Sequence, residues 1–466
     1  MKIEIKNLGA INKASFDLSK KLTVFCGPNN SGKTYVAFMI YALTKSGNKF
    51  FRNEDGTKIL GELLNKGNIE INIDLDKIWQ YREKEIKNIK HSLDSIYGIS
   101  EDITNHLFGD FDISIIETKE EFIKKFKIMS FSNEVDLRNT CVLISKHKEK
   151  STIQLELKSN MTSESEIEVL SLFLLSKIYS LIAFFPFTSS HILPVERNSI
   201  YTFSKELSIQ KQEFLEQAQE LGSKKSKDPF HWYFRRSTRY PMPIRDGLEI
   251  AEDLSNLSKT KSESFELAEE IETELLYGKV VVSKEGDVQF SSNKAKSKKI
   301  PIHLSASIVK TLSSLVFYLK FIATKDELII IDEPELNLHP NNQVILTRIF
   351  AKLVNRGFRM LISTHSDYVI RELNNLIMSS SPRDGISELS TKLGYTHDLK
   401  LSPDIVKAYL FNYKNSSSRN VTVSDIEVDE FGFDVRTIDE TVETLNQVSE
   451  EFFYTIKYGK SEDESN

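Results

Sequence analysis

Leu22-Thr23-Val24-Phe25-Cys26-Gly27-Pro28-Asn29-Asn30-Ser31-Gly32-Lys33-Thr34 is the stretch on which the fold turns. Its first five residues are apolar or β-branched, the composition of a strand buried on both faces. The next eight fit G-x-x-x-x-G-K-[ST] in full, and Lys33 to Thr44 then reads as a helix of apolar and small residues. Strand, glycine loop and helix in that order make a phosphate cradle. The glycines let backbone N–H groups curl around an anion, and the helix N-terminus adds a favourable dipole. The pattern assigns Gly27, Pro28, Asn29, Asn30, Ser31, Gly32, Lys33 and Thr34 to nucleotide binding. Lys33 is expected along the β- and γ-phosphates of ATP, and the Thr34 hydroxyl on Mg²⁺.

Three hundred residues on, Leu328-Ile329-Ile330-Ile331-Asp332-Glu333 pairs a four-aliphatic run with two carboxylates. The run reads as a central parallel strand, and the acids emerge at its carboxyl end, where open α/β sheets bind ligands. Adjacent strand residues point to opposite sides, so the two acids have different tasks. Asp332 is expected to hold Mg²⁺ and Glu333 to act as general base on the attacking water.

Asp332-Glu333-Pro334-Glu335 followed by Leu336-Asn337-Leu338-His339-Pro340 resembles the Walker B and D-loop of ABC-class P-loop ATPases in their OLD-like, RecF-like and SMC-like form. Met360-Leu361-Ile362-Ser363-Thr364-His365-Ser366 resembles the switch-histidine loop of that class. The resemblance implies that His365 senses the γ-phosphate and orients the water. Leu304-Ser305-Ala306-Ser307-Ile308 stands where the class carries an L-S-G-G-Q-like signature opening a helix. Ser305 matches the serine that reaches the γ-phosphate of a second subunit, with Ser307 beside it. Ala306, Ser307 and Ile308 depart from the pattern, which implies a weaker or partner-dependent closure. The plain alternative is that Ser305 is the N-cap of a core helix.

Leu193-Pro194-Val195-Glu196-Arg197 matches a recurrent strand of AAA-15/AAA-21-type prokaryotic ATPases. Such proteins occur in antiphage defence, including PARIS-type and Septu-type pairs with a separate nuclease. The resemblance therefore implies a homodimer or higher homo-oligomer that senses or scaffolds and controls a nuclease-like effector. A RecF/SMC-like ATPase acting directly on DNA is the alternative.

The expected fold is α/β: a two-lobed ABC-type head, a mixed sheet around the P-loop, with helical insertions and a small C-terminal α/β extension. Motif positions divide the chain into head at 1–72, helical insertion at 73–136, head at 137–203, helical insertion at 204–277, head at 278–378 and extension at 379–466. Thr118 and Glu121 are spaced as a capping box. Val280–Val282 and Val288–Phe290 read as a hairpin. Strands are expected near Val421–Val423 and Ile426–Val428, then a helix from Asp439 to Phe453.

The 466 residues are 40% hydrophobic and 27% charged with net charge -6, so the molecule as a whole is no general polyanion binder. Two cysteines are too few for a disulfide scaffold and point to the cytoplasm. Met1 to Lys6 alternates like a strand and lacks the apolar core of a signal peptide. The apolar run Val169 to Phe187 is broken by Lys177 and three serines, so a buried or partner-facing helix is expected there and no membrane span. Arg235, Arg236 and Arg239 interleave with Phe230, Trp232, Tyr233 and Tyr240. That mixture suits DNA, an acidic phage protein or a solvated loop whose aromatics pack on the head. Past residue 378, Asp425, Asp429 and Asp434 read as a polar hairpin, and no nuclease site of the chain's own is expected.

Overall fold

The computed structural model describes residues 1–45, 54–137, 140–158, 167–203, 240–283, 286–293, 298–414 and 420–459. In chain order the strands are β1 (Lys2–Leu8), β2 (Ile11–Asp17), β3 (Leu22–Cys26), β4 (Asn68–Asn72), β5 (Asp112–Ile115), β6 (Phe131–Leu137), β7 (Thr140–Lys146) and β8 (Thr152–Leu157). They continue with β9 (Ser190–Leu193), β10 (Gly278–Val282), β11 (Val288–Ser292), β12 (Lys299–Pro301), β13 (Leu328–Asp332), β14 (Arg359–Thr364), β15 (Val406–Tyr413) and β16 (Val421–Ile426).

Nine of these form one mixed sheet in the order β5-β1-β2-β16-β15-β3-β14-β13-β9. From β15 to β9 the neighbours are parallel, with Leu22 opposite both Met360 and Val406 and Ile331 opposite Ile362 and Leu193. On the other wing β16 runs antiparallel to β15 and parallel to β2, and β1 runs antiparallel to both β2 and β5. All five residues of β3 and of β13 are buried, as continuous apolar runs require in the middle of a parallel sheet.

Alternation along these strands splits the core into two layers. Ile330, Leu361, Phe25 and Phe411 belong to one apolar cluster, Ile329, Ile331, Ile362 and Val24 to the other. The P-loop helix α1 (Lys33–Lys45) packs on the first face, and the helices Ser307–Phe317, Pro340–Asn355 and Asp367–Met378 on the second. β10 and β11 pair as the expected hairpin, Val280 opposite Phe290. The capping box at Thr118 and Glu121 forms at the start of the helix Lys119–Ile128.

The apolar run becomes the 17-residue helix Ile167–Ala183, with Leu174, Ile178 and Ile182 buried and Lys177 Nζ donating to the Thr188 carbonyl at 2.7 Å. No helix of the described residues is long and apolar enough to cross a membrane.

The C-terminal part is arranged differently from its sequence reading. The sheet runs past residue 378: β15 lies directly beside β3, so that part of the tail continues the head. The two short strands expected at 421–428 are one, β16, paired antiparallel to β15. The reason is tertiary, since β15 finds its partner nearly the whole chain away and sequence spacing gives no hint of it. The helix beyond is Arg436–Tyr458, longer at both ends than expected, because no capping side chain or proline stops it sooner.

Candidate functional site

Neighbouring parallel strands end on one edge of the sheet, and each delivers part of one site there. β3 runs into the P-loop, β13 into Asp332 and Glu333, β14 into Thr364 and His365, and β9 into the turn that carries Arg197. This is the carboxyl edge where α/β sheets place ligands.

The P-loop needs its first glycine for two reasons. Gly27 has φ +136°, and a Cβ on it would stand 2.1 Å from the Phe411 carbonyl oxygen of β15. Asn30 also has positive φ (62°), and its carbonyl accepts a hydrogen bond from the Tyr413 hydroxyl at 3.0 Å. Lys33 is 6% exposed; its Nζ donates to the carbonyls of Gly27 at 2.9 Å and Pro28 at 2.8 Å. Burial holds the Lys33 ammonium below the usual lysine range, while Asp332 and Glu333 pull the other way. Asn29 to Tyr35 line a cleft of about 480 Å³ together with Ala10 and Glu333.

Asp332 is buried, and one of its oxygens accepts from Thr34 Oγ1 at 2.7 Å while the other accepts from the Ser363 hydroxyl. Thus the P-loop threonine and the acid at the end of β13 meet, although 298 residues separate them. Glu333 takes the other side. Its φ of +47° is left-handed, and its N–H donates to the Ser363 carbonyl at 2.9 Å. Burial raises the Glu333 carboxyl above the usual range, opposed by His365 and reinforced by Asp332 and Glu335.

Glu335 organises the histidine. It is 7% exposed and accepts from Thr364 Oγ1 at 2.8 Å and from the His365 N–H at 2.9 Å. His365 Nδ1 lies 3.4 Å from Glu335 Oε1 and 3.8 Å from Glu333 Oε1. The imidazole is therefore aimed at the two acids while its side chain stays 43% exposed.

A hydroxyl and a carboxylate in contact, Thr34 with Asp332, suit Mg²⁺. That ion keeps several waters and takes one or two protein oxygens plus phosphate oxygens. No cage of three or more His, Cys, Asp or Glu groups occurs among the described residues.

Ser305 and Ser307 are not among the residues lining this cleft. Ser305 is buried and its hydroxyl donates to the Ile302 carbonyl at 2.6 Å. It is not the N-cap of the helix Ser307–Phe317: Ala306 holds that position and its methyl group can cap nothing, while the Ser305 hydroxyl is committed to the turn before it. Leu304 is 68% exposed, and Ala306 and Ser307 are exposed beside it. Arg235, Arg236 and Arg239 lie outside the described residues. Arg245, further along the same basic run, donates to the Ser95 carbonyl at 2.8 Å.

The sequence places Arg197, Ser363 and Glu335 inside motifs without giving any of them a role, and it does not single out Tyr413. Glu335 stands inside a quoted motif, and Arg197 is a charge directly after a buried strand. Neither signal says what the side chain meets.

The family model AAA_15, described as an AAA ATPase domain, matches residues 1–370. No curated protein matches the chain. Among solved structures, the SmcHead bound to the C-winged helix domain of ScpA is similar at 12% identity and TM-score 0.35, with 92% of this chain and 98% of that one covered. An Smc head domain with an extended coiled coil, bound to the C-terminal domain of ScpA derived from Pyrococcus furiosus, gives 12% and 0.33 over 96% and 98%. The SMC head domain from Thermotoga maritima gives 9% and 0.28 over 92% and 98%.

Proposed function

We propose, for a chain that belongs to the AAA ATPase domain family, that it binds ATP with Mg²⁺ in the P-loop cleft and hydrolyses it to ADP and phosphate. The observation that carries this reading is the 2.7 Å hydrogen bond between Thr34 and Asp332 in a cleft that Lys33 and Glu333 share. Lys33 and the P-loop amides would hold the β- and γ-phosphates. Thr34 and Asp332 would hold Mg²⁺, which neutralises charge on the phosphates when bound. Glu333 would take a proton from the attacking water as its oxygen bonds the γ-phosphorus and the bond to ADP breaks. A desolvated carboxylate with a raised pKa is better suited to that task than an exposed one. His365, held by Glu335, would orient the water. The test is Glu333→Gln: it should bind ATP, trap it and release little phosphate. Unchanged turnover refutes the catalytic assignment.

The wider reading is a homodimer or larger homo-oligomer in the cytoplasm, with Ser305 and Ser307 of one copy closing on the nucleotide of another. The edge supports this, because Leu304, Ala306 and Ser307 stand at the surface on either side of the buried Ser305. In this reading ATP-driven closure controls a separate nuclease-like effector in antiphage defence of the PARIS or Septu type, and any cutting belongs to that effector. Native mass measurement of the complex pulled down from its own host tests the claim; a chain that carries no second protein counts against it. The basic and aromatic run at 224–245 favours a second reading, a RecF/SMC-like ATPase acting on DNA. DNA-stimulated hydrolysis that disappears on substitution of Arg235, Arg236 and Arg239 would select it.

A further inference from the structure

Arg197 is 2% exposed, behind the site. Burying a guanidinium is costly, and an apolar side chain of like volume would fill the space with less penalty. Its hydrogen bonds explain its presence. Nη1 donates to the carbonyls of Pro194 at 2.9 Å and Asp332 at 2.7 Å, and Nη2 to the carbonyl of Glu333 at 2.6 Å. A planar fork can span two successive carbonyls, whereas a lysine ammonium is a single point.

What the fork holds is a strained residue. A non-glycine residue in the left-handed region is strained and persists only where its surroundings over-determine it. Glu333 is held from both sides: its N–H donates to the Ser363 carbonyl at 2.9 Å, and its carbonyl accepts from Arg197 and from the Leu336 N–H at 3.2 Å. Both peptide planes are fixed, and with them the direction in which the side chain leaves the backbone. At its other end, the carbonyl of Arg197 accepts from Ser314 Oγ at 3.3 Å. Ser314 belongs to the helix Ser307–Phe317, which begins beside the exposed Ala306.

We propose that Arg197 is a positioning residue for hydrolysis, holding the Glu333 backbone so that its carboxylate meets the attacking water, and linking that placement to the helix behind Ser305. This rests on the reading of Glu333 as general base. A shift of the helix against the sheet would reach Glu333 through Ser314 and Arg197, so closure on a second copy and readiness for hydrolysis become one event.

The test uses the full chain as Arg197→Lys, Arg197→Met and Ser314→Ala, each alone and with Glu333→Gln. Steady-state kinetics, ATP affinity by a fluorescent analogue and thermal midpoints are compared. Arg197→Lys and Arg197→Met should lower kcat by about 10- to 100-fold, the scale of a small misplacement of a reacting group. Affinity should change by less than about threefold, since uniform binding is untouched. Combined with Glu333→Gln, neither should lower kcat further, because both act through one carboxylate. Ser314→Ala should lower kcat by a few-fold with KM unchanged. A kcat within twofold of wild type in folded Arg197 variants overturns the proposal, and so do losses that multiply in the double variants. If neither Arg197 variant folds, Ser314→Ala decides: an unchanged kcat there overturns it. A wild-type chain with no turnover refutes the hydrolysis reading itself, a separate result.

Discussion

The P-loop cleft and the edge at Leu304–Ser307 lie in the same chain yet are built in opposite ways. In the cleft, Thr34 and Ser363 donate to Asp332 and Thr364 donates to Glu335, hydrogen bonds brought in by three different strands. At the edge, one serine hydroxyl is turned back onto its own turn, and Leu304, Ala306 and Ser307 face solvent. The first arrangement is drawn together within one chain. The second offers a helix start and small residues to something outside it, which is what a closing surface between subunits would need.

The contrast can be broken most sharply at Glu333. Glu333→Gln should cut phosphate release by about 100- to 10,000-fold, the usual worth of a general base, while nucleotide stays bound. Lys33→Ala acts on the same side of the comparison but on binding. ATP affinity should fall by about 10- to 100-fold when the charge-assisted hydrogen bond to phosphate is removed, measured by titration of a fluorescent analogue. If Lys33→Ala binds as wild type, the cleft is not the nucleotide site.

Acidity sharpens the same half. Burial raises the Glu333 carboxyl, and a general base must be ionised. kcat should therefore fall as pH drops through that raised pKa, at a pH above the ordinary glutamate range of about 4.3. A flat profile down to that range would take Glu333 out of the proton transfer.

The edge should respond differently. Ser305→Ala should leave ATP affinity of the dilute chain unchanged and lower kcat about 10-fold at concentrations where copies associate, the worth of about one hydrogen bond to a charged group. Weakened binding in the dilute chain would mean that the edge and the cleft are one site. Smallest of all is the basic run: replacing Arg235, Arg236 and Arg239 by alanine should only make any DNA binding less steeply salt-dependent, the slope falling by roughly 0.9 for each phosphate these arginines neutralise.

How much could be read beforehand depends on how local the cause is. The capping box at Thr118 needs only four consecutive residues, and it forms. β3 and β13 announce themselves by apolar runs whose burial any central parallel strand demands. β15 does not. Its burial is irregular along Val406–Tyr413, and its identity as a neighbour of the P-loop strand comes from pairing Val406 with Leu22. The same distance hides Gly27's second constraint, since the Phe411 carbonyl that forbids a Cβ arrives from that strand.

The chain alone determined the strand, glycine loop and helix, the paired acids and the family resemblance, because spacing along a strand and its following turn settles which groups emerge together. Only the tertiary structure decided that Thr34 touches Asp332, that Glu335 steadies His365, and that a buried arginine pins Glu333 in a left-handed conformation. Those contacts join residues tens to hundreds of positions apart. Their geometry depends on strand register and packing, which no local pattern encodes.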